Sequence, residues 1–187
     1  MEAKPHVILV HGAFADGSSW SKVIQRLQAA DYTVIAVQID LASLADDIAD
    51  TRAVLAAQRG PTVLVGHSYG GGVITAAGVN SPRVRSLVYV SAFAPDAGET
   101  LTDFVDRFPA APGNAHLVPD YRKDFLRVDP AAFPEFFMQD VDLREARAPA
   151  AVQKPVAAAS FSANSGARRK SWPARTLPQA RRTTFRS

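Results

Sequence analysis

The stretch VLVGHSYGGG, residues 63–72, places a serine where its hydroxyl can attack a carbonyl carbon. An apolar run ends in Gly66-His67-Ser68-Tyr69-Gly70, a G-x-S-x-G pattern. Where this pattern joins a strand to a helix, the turn is so tight that side chains two residues either side of the serine would collide. Glycines at those positions relieve the collision and hold Ser68 at the helix N-terminus with its Oγ exposed. The alternative is a Gly-rich packing turn with an incidental serine. The run PTVLV before the pattern and the helix expected after it favour the nucleophile.

A serine hydroxyl is a weak nucleophile at neutral pH and needs a base, oriented in turn by a carboxylate. Acyl transfer also needs backbone N–H groups aimed at the developing oxyanion. One donor is expected from Tyr69, just after the serine. The second is expected from LVHGAF at the end of the first strand, at Ala13 with Phe14 adjacent. His11 and Gly12 shape that loop, with His11 read as a structural histidine bonded to backbone. Phe14, His11 and His67 are expected to flank the bound substrate.

The chain has four histidines. His67 adjoins Ser68, so its side chain leaves the turn in another direction. His6 starts a strand at the wrong end of the sheet. His11 has no evident carboxylate behind it. His116, in PGNAHLVPD, could swing over the pocket, although a surface-loop histidine is the plainer reading. Among acids, Asp96 in APDAGE follows the fourth strand at the correct end of the sheet, where a turn or cap aspartate is the plainer reading. The sequence thus offers a nucleophile and an oxyanion hole without an identifiable base, with Asp96 and His116 the nearest candidates for acid and base.

Elements to position these residues are legible. HVILV (6–10), YTVIAV (32–37), PTVLVG (61–66) and RSLVYVSA (85–92) read as four strands, near-continuously apolar. Helices are expected between them. One starts near Trp20, capped by Ser18 or Ser19, with Trp20, Val23, Ile24 and Leu27 on its buried face. A second spans 43–58, opened by a Ser43-x-x-Asp46 cap and buried through Leu44, Ile48, Val54 and Leu55. A third runs from Tyr69 to about Val79. Alternating apolar strands and helices imply an α/β fold with a parallel sheet buried on both faces. Residues 1–94 form this core. Residues 95–163, rich in Phe and Pro with short helical pieces and no convincing strand, are expected to form a helical cap over the pocket. Phe125, Phe133, Phe136, Phe137 and Met138 suggest an apolar acyl or alcohol group there, or equally a cap core.

The 187 residues carry a net charge of +3, unevenly spread. Seven Arg and Lys and no acid fall in residues 165–187; removing them leaves 14 basic against 18 acidic residues, a net −4. The segment 164–187 has no period of either kind and is expected to be disordered. The absence of cysteine excludes disulfides, thiolate chemistry and Cys-ligated zinc. No apolar run approaches a membrane span, and the N-terminus is too short in apolar residues for a secretory signal. A cytoplasmic protein without membrane contact is the default.

HGAFADGSSW, LVGHSYGGGV and VYVSAFAPDAGE together resemble the α/β-hydrolase superfamily, in its compact branch of plant hydroxynitrile lyases, methyl-ester esterases and small bacterial hydrolases. The likeness extends through AAVQKPVAAASFSA to about residue 163. It implies a doubly wound, mainly parallel sheet, a helical cap, no cofactor or metal, and cleavage of a small ester or related bond. Ser68 carries over as nucleophile, with Ala13 and Tyr69 as oxyanion donors. In the lyases a threonine follows the strand histidine; Gly12 stands there in this chain, which favours the esterase side. The family order is Ser, then Asp, then His, on loops after late strands. At about 30 residues per strand–helix unit, roughly 60 residues of that pattern have no counterpart beyond 163. The expectation is a truncated sheet, its last third replaced through a shifted reading frame, with impaired activity. The fourth strand becomes an apolar edge that invites self-association.

Two other function classes are weighed. One is a pseudo-hydrolase that binds a small apolar ligand without turnover. The other is nucleic-acid binding through the basic tail, disfavoured because no nucleic-acid-binding fold accompanies it.

Overall fold

The computed structural model describes residues 4–164 and residue 166. The expectation of disorder at 164–187 therefore lies, apart from Asn164 and Gly166, outside the described residues.

Four parallel strands form the central sheet: β1 (His6–Val10), β2 (Val34–Val37), β3 (Thr62–Ser68) and β4 (Val84–Ala92), in the order β2-β1-β3-β4. Three helices connect them: α1 (Ser21–Ala29), α2 (Leu44–Ala56) and α3 (Tyr69–Ala77). Ile8, Val10 and Leu64 bury one sheet face against Leu44, Ile48 and Leu55 of α2 and Val73 and Ile74 of α3. Val7 and Leu9 bury the other against Trp20, with Ile24 and Leu27 of α1 packed beside it. Strand residues alternate faces, so apolar residues throughout β1 are what a sheet wound on both sides requires.

The caps differ in part from expectation. Ser43 opens α2, accepting from the Asp46 N–H at 3.1 Å. Before α1, Asp16 rather than Ser18 or Ser19 does the capping: it accepts from the Ser18 N–H at 2.7 Å and starts a 3-10 turn, Gly17–Trp20, that leads into the helix. Val23, expected on the buried face, is exposed, because α1 starts one residue past Trp20 and turns that position outward.

Beyond β4 lie α4 (Leu101–Val105), β5 (Leu117–Pro119), β6 (Phe125–Val128), α5 (Phe133–Phe136), α6 (Leu143–Val152), β7 (Val156–Ala157) and α7 (Ala159–Ser162). The region read as strandless contains a three-stranded antiparallel sheet, β5-β6-β7. Strands of two to four residues carry too few alternations to show a period, and Pro119 ends one of them. The cap is anchored to the core. Val156 is fully buried in the main apolar cluster, and the Ala157 N–H donates to the Leu41 carbonyl at 2.9 Å. No helix of the described residues is long and apolar enough to cross a membrane.

Candidate active site

β3 runs two residues further than expected and delivers Ser68 at its C-terminal end. Ser68 sits at φ 49°, ψ −119°, immediately before the first turn of α3. A non-glycine residue in this region is strained, by about 1–3 kcal/mol, and persists only where its surroundings impose it. The surroundings are visible. A Cβ on Gly66 would lie 2.5 Å from the Gly70 carbonyl oxygen, and one on Gly70 would lie 2.5 Å from the Val10 carbonyl oxygen. The first glycine lets the turn close on itself; the second lets α3 press against the end of β1.

That contact brings the loop after β1 to the serine. A Cβ on Gly12 would lie 3.0 Å from both Ser68 Cβ and His67 Nδ1. A larger residue there would crowd Ser68. Ala13, Phe14 and Ser68 line one cavity of about 760 Å³. Tyr69 is the first residue of α3, where backbone N–H groups have no intrahelical acceptor. Its N–H is therefore free of the helix ladder beside Ser68, as an oxyanion donor must be.

The Tyr69 side chain has a different task. It is fully buried, and its hydroxyl donates to Asp47 Oδ2 at 2.7 Å, while Asp47 Oδ1 accepts from the Leu41 N–H at 2.9 Å. Burial pushes the Asp47 carboxyl up from its ordinary range, against the pull of its two donors. Burial likewise pushes the Tyr69 phenol up, reinforced by the neighbouring Asp47 charge. Asp47 escaped the sequence reading, although its spacing from Leu44, Ile48 and Thr51 places it on the buried stripe of α2.

The expected flanking histidines do not line the cavity. His11 is fully buried, its Nδ1 2.9 Å from the Gly12 carbonyl oxygen, the structural role expected of it. Burial lowers its pKa against that bond. His67 points to the opposite sheet face, edge-on to Trp20 at 6.4 Å, because residues alternate along β3; burial lowers its pKa too. His116 stacks on Phe136 with ring centroids 4.1 Å apart and is not on the cavity wall. His6 Nδ1 lies 2.8 Å from Gln58 Oε1, at the far end of β1. Asp96 is exposed in a turn whose N–H donates to Glu99 Oε2 at 2.7 Å; it does not reach the cavity either. Asp96 and His116 thus do not meet at Ser68. Among the described residues no side chain hydrogen-bonds Ser68 Oγ.

The cap supplies the rest of the wall. Phe136 and Phe137 line it, as the aromatic run suggested, together with Phe93 and Phe161. Phe133 is buried core instead, Met138 packs against that core, and Phe125 carries the Arg122 guanidinium on its face at 3.7 Å. The polar wall residues Thr102, Asn114, Glu135 and Gln139 were not foreseen. Glu135 left a signal in FPEFFMQD, a carboxylate inside an aromatic run. Among the described residues no cluster of side chains could hold a metal ion.

With this geometry in view, comparison with known proteins is decisive about ancestry. The sequence profile of the "Alpha/beta hydrolase family" matches residues 7–185. The chain belongs to the alpha/beta hydrolase family. Within it, the chain is similar to a carbendazim-hydrolysing esterase of Nocardioides sp. (strain SG-4G), 33% identical over half of this chain and 44% of the relative. It is similar also to an alpha-hydroxynitrile lyase of Arabidopsis thaliana, 26% identical over 60% of this chain and 49% of the relative. The α/β-hydrolase chain spans about half the length of the curated relatives it matches. Its fold matches the crystal structure of a pyrethroid hydrolase from Sphingobium faniae JZ-2, with TM-score 0.73 and 22% identity over 87% of this chain and 72% of that one. That likeness bears on the fold alone.

Proposed function

We propose that this α/β hydrolase is esterase-like, with Ser68 attacking a small ester and the N–H groups of Ala13 and Tyr69 receiving the oxyanion. The observation that carries the reading is Ser68 itself, strained at φ 49° at the β3–α3 turn and opening onto the cavity beside Ala13. In this reading Ser68 Oγ bonds the acyl carbon, the alkoxide leaves with a proton, and water cleaves the acyl-serine. The relatives support the ester class, since one is an esterase and another a pyrethroid hydrolase.

The activity of this chain is impaired in the same proposal, because none of its four histidines hydrogen-bonds Ser68 Oγ. An oxyanion hole and binding alone leave about 10³–10⁴-fold acceleration over water in the serine-protease template. That no side chain among the described residues hydrogen-bonds Ser68 Oγ also favours a second reading, a pseudo-hydrolase that binds ligand without turnover. A cytoplasmic location and association through β4, which among the described residues pairs only with β3, complete the proposal.

The test is hydrolysis of 4-nitrophenyl butyrate by wild-type protein beside Ser68→Ala. Slow turnover that disappears in Ser68→Ala is expected. Equal rates for the two would remove Ser68 as nucleophile and leave the binding reading.

A further inference from the structure

The cavity over Ser68 has an unusual charge pattern. Five phenylalanines, Phe14, Phe93, Phe136, Phe137 and Phe161, stand in its wall, and among the described residues Glu135 is the one charged residue lining it. Glu135 comes from α5 in the cap, whereas Ser68 comes from the core sheet. Each salt bridge found among the described residues has its carboxylate elsewhere, so Glu135 has no ion-pair partner there. The cavity therefore combines aromatic rings, whose faces attract cations through their quadrupoles, with one carboxylate that has no ion-pair partner among the described residues. Few, well-placed polar groups in an apolar pocket are what orient a ligand.

We infer that the cavity selects ligands that join an apolar or aromatic body to a cationic head, a protonated amine or quaternary ammonium, with the head at Glu135 between the rings of the cap. Phe136 and Phe137, the two residues after Glu135, line the same cavity. A neutral ligand of the same shape gains the apolar contacts and forfeits the charge contacts. An anionic ligand meets Glu135 with like charge. The inference rests on reading this cavity as the substrate site and specifies the class of ester the site prefers, one that also carries a cation. It concerns binding and holds whether or not Ser68 turns the ligand over.

The test is a calorimetric titration of Ser68→Ala protein with 4-phenylbutyltrimethylammonium and, separately, with 4-phenylbutan-1-ol. Glu135 is exposed, so Glu135→Gln in the same background keeps the fold, which circular dichroism checks. The expected result is a preference for the cation of roughly three- to ten-fold at low salt, shrinking as salt is added and falling below twofold in Glu135→Gln. Equal affinity for the two probes, no binding of either, or a preference that survives Glu135→Gln would each overturn the inference. Loss of turnover in the esterase test leaves these titrations untouched, so the two readings fail separately.

Discussion

At Tyr69 two jobs meet in one residue. Its N–H faces the serine turn, and its phenol reaches through the core to Asp47. Asp47 in turn holds the Leu41 N–H, at a residue with φ 58°. One buried carboxylate thus ties the start of α3, beside Ser68, to the loop entering α2. Asp47→Ala would leave a buried hydroxyl and a buried N–H without an acceptor, at about 1–3 kcal/mol each. The expected outcome in urea denaturation is a loss of about 2–5 kcal/mol. Asp47→Asn, which keeps one carbonyl acceptor, should lose less. A change below about 1 kcal/mol in the alanine variant would mean that neighbouring groups or water replace the carboxylate.

At the scale of elements, β4 is the exposed end of the sheet. Among the described residues it pairs only with β3, and Val88 and Val90 are each 41% exposed. A nine-residue strand at the end of a sheet, with apolar side chains exposed, is a template for another chain. Sedimentation velocity should show concentration-dependent association of wild-type protein, reduced by Val88→Lys, which sets a charge on the edge at little cost to folding. A wild-type monomer across the whole concentration range, or association unchanged by Val88→Lys, would reject the edge as the contact. The edge and the four central strands were legible in the sequence because each is long enough to show its apolar run. The cap strands were not, since β5 and β7 hold only three and two residues and take their pairing from β6. The site divides in the same way. Ser68, Ala13 and Tyr69 are candidates that local turn chemistry makes legible, whereas the contacts of Asp47 and the place of Glu135 on the cavity wall arise only when distant segments pack. His67, expected to flank the substrate, lies on the other sheet face, edge-on to Trp20, because residues alternate along β3.

For the whole molecule, the two histidines held inside the core couple folding to pH. Burial lowers the pKa of both His11 and His67. A group whose folded pKa is depressed leaves the unfolded chain binding more protons than the native one between the two values. The stability it contributes is present above the ordinary histidine value of about 6.5 and is lost as pH falls toward the folded value. Each histidine can steepen the loss by up to about 1.4 kcal/mol per pH unit. Asp47, raised by burial, works with the opposite sign, its contribution falling as pH rises through its native value. Comparing wild type with His11→Gln cancels the Asp47 and His67 contributions and leaves the slope due to His11. Urea denaturation between pH 7.5 and pH 5 should show wild-type stability falling more steeply than that of His11→Gln. The level of the variant will be lower throughout if packing is lost, but a packing loss is independent of pH. Parallel curves would mean that His11 takes up its proton in the folded state as readily as in the unfolded one, and the buried imidazole behind the Gly12 carbonyl would then have to be charged.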